Sequence, residues 1–208
     1  NYRVAESCDI IILAVKPDKV KSVISEVKDR LGQDKLLITI AAGVSTAAVE
    51  DWAGKNIPVI RVMPNTPCLV GKGISAITAG RYCDCRHLET AKGIFNYVGE
   101  TVDVPEVLMN AVTGVSGSGP AYIYLVMEAM IDAAVTIGVS RDVATSLVVN
   151  TVLGSAEMVA QTGMHPAVLK AQVVSPGGTT AAGLNELEDG KIRALFTRAV
   201  RAAAERAG

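Results

Sequence analysis

An α/β domain followed by an all-helical half is the fold class this sequence predicts, and two patterns predict it. Up to Val104–Pro105, short apolar runs alternate with amphipathic stretches of helical period, the signature of a layered domain with right-handed crossovers. Beyond that point no run combines β-branched alternation with turn signals, while helical periodicity continues to the end. The expected domains are therefore residues 1–104 and 105–208.

Each element has its own signal. Residues 10–15 are all apolar and read as a strand buried on both faces of a parallel sheet. Pro17 suits the first turn of a helix carrying Val20, Val23, Ile24, Val27 and Leu31 at helical spacing, which Gly32 ends. Residues 36–41 read as a second strand, Ser45 caps a short helix through Trp52, and residues 58–62 form a third strand. Two more strands are expected over 73–79 and 100–104. Between them a helix over 84–98 turns Leu88, Ala91, Ile94 and Phe95 inward. The second half predicts helices near 106–114, 119–138, 141–162, 166–174, 179–188 and 191–207, with Ser140 as an N-cap and Gly163 as a stop. Residues 120–160 are apolar around most of the helix circumference, more than a small monomeric bundle needs to cover, so an oligomer interface is expected.

Composition narrows the partner class. Half of the 208 residues are hydrophobic and the formal charge is −1, with Lys and Arg scattered, so a folded protein acting on a small molecule is expected rather than a nucleic-acid or membrane-surface binder. The apolar stretch 120–139 approaches the length of a membrane span, but Glu128 and Asp132 share one face in its middle. Cys8, Cys68, Cys83 and Cys85 lack regular spacing, and no secretory pattern is present, which points to a reducing cytoplasm. Cys83, Cys85 and His87 do not match zinc-ligand spacing, so no metal is expected.

Ligands of open α/β sheets sit beyond the carboxyl ends of the strands. Three post-strand segments can line a cofactor cleft: Ala14–Val15–Lys16–Pro17, the small residues Ala41–Ala42–Gly43, and the two-proline loop Met63–Pro64–Asn65–Thr66–Pro67. Taken singly, each also reads as an ordinary loop. Residues 114–120 place three glycines, Ser116 and Ser118 before a long helix, equally readable as a polar-group site or as a flexible interdomain joint capped by Ser118. The sharper signal is Ser175–Pro176–Gly177–Gly178–Thr179–Thr180. Its glycines permit close backbone approach, and Thr179 opens a helix, so the turn can hold a carboxylate without arginine. With only His87 and His165, a hydrolase triad has little support, and His165 before Pro166 reads as a helix end.

Together these segments resemble the pyrroline-5-carboxylate reductase family. Residues 12–17, 41–44, 61–67, 113–122 and 175–180 follow the family's order and spacing over nearly the whole chain, and the last two are highly specific. The resemblance implies a Rossmann-type NAD(P)-binding domain, incomplete at its N-terminus, followed by an all-helical dimerisation domain interlaced with that of a partner. It implies that Ala14, Val15, Lys16, Pro17, Ala41, Ala42 and Gly43 contact NADPH or NADH, with Asn65 near the nicotinamide and Ser118 near cofactor and substrate. It also implies that Ser175, Thr179 and Thr180 hold the carboxylate of 1-pyrroline-5-carboxylate while a hydride passes to the C=N carbon, giving L-proline.

Two departures accompany the resemblance. Residues 163–166 read Gly–Met–His–Pro, without the acid the family often places just before His–Pro. No glycine-rich strand–turn–helix precedes Asn1, so the expectation is a fragment about sixty residues short, the size of the missing βαβ unit, that binds the cofactor weakly or not at all. NADH and NADPH are not distinguished. Competing readings are a reductase of a related imine or β-hydroxyacid, and a non-catalytic oligomerisation module.

Overall fold

The computed structural model describes all 208 residues, 1–208. They form two compact units: residues 1–120 together with 199–208, and residues 121–198.

The first unit is built on a five-stranded sheet, β1 (Ile10–Leu13), β2 (Leu36–Thr39), β3 (Val59–Met63), β4 (Gly73–Ala79) and β5 (Gly99–Asp103), in that spatial order. Helices α1 (Tyr2–Ser7), α2 (Pro17–Val27) and α3 (Thr46–Ala53) accompany the first three strands, and α4 (Cys85–Phe95) joins β4 to β5. On one side of the sheet Val20, Ile24 and Val49 pack with Leu37 and Val59. On the other, Ala91 and Phe95 of α4 pack with Ile38, Ile60 and Ile77. The α2 positions set by helical spacing, Val20, Ile24 and Val27, are all buried. Ser45 caps α3 as expected, its hydroxyl accepting the Ala48 N–H, and Gly54 closes that helix in the left-handed region.

Two sheet expectations need correction. β3 and β4 are antiparallel, so the sheet is mixed. Only residues 64–72 separate them, containing a 3₁₀ turn over Thr66–Val70 and left-handed Gly71, and a parallel crossover needs a dozen residues or more. β1 is covered on one face only: it lies at the sheet edge, and Ile10 and Ile12 are 39% and 43% exposed. The sequence reading also passed over α1.

The chain then continues through a 3₁₀ turn (Glu106–Leu108), α5 (Met109–Val112) and a π-helical turn (Thr113–Gly117) directly into α6 (Gly119–Thr136). The interdomain reading of residues 114–120 fits the boundary between the two units at Pro120–Ala121, although residues 109–117 are helical and Ser118 is a bend before α6. None of Gly114, Gly117 and Gly119 has positive φ. Gly114 and Gly117 serve close packing instead: a Cβ on Gly114 would lie 2.6 Å from the Val200 carbonyl oxygen, and one on Gly117 would lie 2.8 Å from Met63 Cε.

The second unit contains most of α6, α7 (Arg141–Thr162), α8 (Pro166–Gln172), α9 (Thr179–Asp189) and the start of α10 (Ile192–Arg206). Gly163 stops α7 with left-handed geometry, and Ser140 holds its N-cap position without a side-chain capping bond. His165 does not end a helix: it is the N-cap of α8, with Nδ1 accepting the Ala167 N–H at 3.2 Å and Pro166 at the first helical position. Of the α7 side chains only Ala144 and Val148 are buried, and α6 buries none. By length and composition α7 could cross a membrane.

Candidate active site

In the first unit the parallel strands β1, β2 and β3 end on the same side. The Ile40 N–H donates to the Leu13 carbonyl at 3.3 Å, which keeps the ends of β1 and β2 level, with Leu13 opposite Thr39. Ala14, Val15, Lys16 and Pro17 are exposed. Lys16 is the N-cap of α2 and has no side-chain capping bond, but its carbonyl accepts the Lys19 N–H at 2.9 Å and Pro17 has no N–H, so this helix start offers little beyond the Asp18 N–H. At the end of β2, Ala41 is buried, Ala42 half-buried and Gly43 exposed with φ +72°. A side chain at Gly43 would be strained there, and its Cβ would lie 2.8 Å from the Ala207 carbonyl oxygen.

At the end of β3 the Asn65 side chain accepts the Ile74 N–H at 3.0 Å, which pins the turn leading into β4. The π-helical turn lies against Met63, so Ser118 belongs to this same region of the unit. Its N–H donates to the Thr113 carbonyl at 2.8 Å. Helix α6 starts at Gly119 just after the Ser118 bend, with the π-helical turn Thr113–Gly117 ahead of it.

Ser175, Thr179 and Thr180 share one turn in the second unit. The Gly178 N–H donates to the Ser175 carbonyl at 3.0 Å, with Pro176 and left-handed Gly177 (φ +69°) at the two central positions. Gly178 is the N-cap of α9 and has no side chain to offer. The first N–H groups of that eleven-residue helix have no intrahelical acceptor and face the turn with positive polarity. A Cβ on Gly178 would overlap the Ser175 hydroxyl. Glycine thus keeps backbone and hydroxyl donors close together, the arrangement suited to a small carboxylate.

One cluster escaped the sequence reading. Arg61, in the middle of β3, is 5% exposed at its side chain and lies 3.6 Å from a Glu106 carboxylate oxygen. Its Nη2 meets Asn110 Oδ1 at 3.5 Å. Burial lowers the Arg61 pKa, and the Glu106 charge opposes that shift. The signal was available: a charge within Val59–Ile60–Arg61–Val62 requires a buried partner.

The donor set fits a nicotinamide dinucleotide. The Lys16 ammonium suits its anionic part, and the side-chain-poor backbone at Ala14 and Ala41–Gly43 suits a flat ring. An α/β unit with this ledge, in a chain whose second unit carries a glycine- and hydroxyl-rich turn at a helix start, is compatible with a nicotinamide-nucleotide oxidoreductase. Residues 1–43 match the family described as NADP oxidoreductase coenzyme F420-dependent, and residues 106–208 match pyrroline-5-carboxylate reductase dimerisation.

The chain belongs to the pyrroline-5-carboxylate reductase family. It is 48% identical to the pyrroline-5-carboxylate reductase of Methanosarcina acetivorans, over 99% of this chain and 76% of that protein. With the Corynebacterium melassecola reductase it shares 44% identity, over 99% and 77% of the two chains. The crystal structure of Plasmodium falciparum pyrroline carboxylate reductase with NADP bound superposes with a TM-score of 0.93 at 40% identity, covering 99% of this chain and 78% of that one.

Proposed function

We propose that the chain reduces 1-pyrroline-5-carboxylate to L-proline by hydride transfer to the C=N carbon, with NADPH or NADH as donor. The observation that carries this reading is the Ser175–Thr180 turn, an anion receptor made of backbone and hydroxyl groups at the start of α9. Ser175, Thr179 and Thr180 hold the substrate carboxylate and so fix the ring orientation. A protonated imine is already electrophilic, so hydrogen bonding from one of these hydroxyls or from water suffices at nitrogen. Bound nicotinamide supplies the hydride. Ala14, Val15, Lys16, Pro17, Ala41, Ala42 and Gly43 would hold the dinucleotide, with Asn65 and Ser118 toward its reactive end.

In this reading residues 1–104 serve the cofactor, and residues 105–208 serve substrate binding and dimerisation in a cytoplasmic homodimer or higher homo-oligomer. The family match over residues 106–208 and the exposed apolar faces of α6 and α7 support the assembly. The reading is tested by following dihydronicotinamide oxidation with 1-pyrroline-5-carboxylate. Thr179→Ala is expected to raise the substrate KM about tenfold by removing one hydrogen bond to a charged group. Turnover of an open-chain oxoacid with none of the cyclic imine would sink it.

A further inference from the structure

The Gly43–Ser45 turn, which carries the proposed cofactor ledge into α3, is held from outside by one carboxylate. Glu106 Oε1 accepts the Thr46 N–H at 2.7 Å, and Oε2 accepts the Thr46 hydroxyl at 2.7 Å. Thr46 is the first residue of α3 and is buried. Behind the carboxylate stands the Arg61 guanidinium, itself buried and anchored on the central strand β3. Ser45 also caps Ala48, Val44 is buried in the core beside α2 and α3, and the Ala207 carbonyl, distant in sequence, lies against Gly43.

Glu106 has a second consequence. Helices α2 and α3 follow adjacent parallel strands, and the N-terminus of each faces the side where ligands of such sheets bind. At α2 Pro17 has no N–H and the Lys16 carbonyl takes the Lys19 N–H, and at α3 the Ser45 hydroxyl and the Glu106 carboxylate take the Ala48 and Thr46 N–H groups. A carboxylate already fills the position a phosphate would occupy at α3. The ledge at Ala41–Gly43 is left for an uncharged part of the nucleotide.

We propose that Glu106 is a positioning residue for the nucleotide. Backed by Arg61, it fixes the Gly43–Thr46 turn and closes the α3 N-terminus to phosphate. This rests on the reductase reading given above, and it concerns residues that the reading does not use.

The experiment compares wild type with Glu106→Gln and Thr46→Val by two measurements: amide hydrogen exchange at residues 44–48 without nucleotide, and NADPH dissociation constants by fluorescence titration. Thr46→Val deletes the hydroxyl bond and keeps the Arg61–Glu106 pair, so it guards against a variant that simply misfolds. Both variants are expected to lose protection at Thr46 and to weaken NADPH binding about tenfold, the size of one lost charge-assisted hydrogen bond. The KM for 1-pyrroline-5-carboxylate should stay within about twofold, because uniform weakening by general destabilisation would move both constants.

Unchanged exchange at Thr46 would overturn the clamp. Lost protection with unchanged NADPH affinity would overturn the positioning role while leaving the reductase reading intact. Wild type that binds NADPH and reduces no imine would overturn the reductase reading, and wild type that binds no NADPH would overturn the positioning role in this chain.

Discussion

The Glu50 carboxylate, buried on α3, accepts the backbone N–H of Arg81 at 2.7 Å and so closes the turn that follows the antiparallel strand β4. The Arg81 guanidinium, largely exposed at 3.6 Å from the same carboxylate, adds little in water. Gly80 lets the two segments meet: its N–H donates to the Val59 carbonyl at 2.8 Å, and a Cβ there would lie 2.9 Å from that oxygen and overlap Glu50. Glu50→Ala is expected to cost about 1–3 kcal/mol, because it removes the charged acceptor of a part-buried N–H, and Glu50→Gln about 1 kcal/mol, because an acceptor remains. Gly80→Ala should cost about 1–3 kcal/mol by overpacking. Urea unfolding checks all three, and equal losses for Glu50→Ala and Glu50→Gln would contradict the hydrogen-bond account.

Two neighbouring cysteines should react differently. Burial raises the Cys83 thiol pKa, and its Sγ donates to the Val59 carbonyl at 3.1 Å. Cys85 is exposed at the start of α4. Since the thiolate is the nucleophile, iodoacetamide at mildly alkaline pH is expected to label Cys85 at least about tenfold faster than Cys83. Peptide mass analysis over a time course measures this. Comparable rates would mean that the Cys83 pocket opens readily.

What could be read in the sequence followed from local physics. Ser45, Pro17 and Gly163 act through their own backbone neighbours, so their capping and stopping roles were legible. The turn at Pro176–Gly177 was legible for the same reason. Long-range pairing was not: nothing local to Gly73–Ala79 tells which way β4 runs, and only the shortness of residues 64–72 betrayed it. Glycine proved ambiguous. Gly114 and Gly117 read as flexibility but are contact points within a π-helical turn, a distinction set by Val200 and Met63 far away in sequence. Arg61 gave notice of a buried partner, but sixty residues separate Thr46 from Glu106, and no spacing rule links them.

The start of α4 provides a pH signature. The Asp84 carboxylate accepts the Arg86 and His87 N–H groups and pairs with the Arg86 guanidinium at 2.8 Å. The Arg86 hydrogen bond is the leading cause that lowers its pKa to about 2, followed by the His87 N–H. A depressed carboxylate pKa means that its contribution to stability is complete above the ordinary value and is lost as pH falls through the folded one. The Asp84 carboxyl resonance is therefore expected to titrate with a midpoint near 2 in carbon-detected NMR, and Arg86→Ala should move it up toward the ordinary range. A wild-type midpoint near the ordinary value would show that the pair is not formed in solution.

The helical unit makes the strongest demand on assembly. Leu147 and Leu153 of α7 are 58% and 60% exposed, and α7 buries only Ala144 and Val148, so the unit has almost no core of its own. On the proposed dimer these leucines enter the interface, where each contributes roughly 1.5–3 kcal/mol when fully covered. Since about 1.4 kcal/mol is a factor of ten in a dissociation constant, Leu147→Glu with Leu153→Glu should weaken the dimer by several orders of magnitude. The helices depend on that contact, so dissociation should be accompanied by loss of helical circular dichroism. For the same reason the wild-type Tm should rise with protein concentration. Sedimentation equilibrium and thermal melts at several concentrations measure both effects. A double variant that remains dimeric, or a wild-type monomer with full helicity at micromolar concentration, would place these leucines outside the interface.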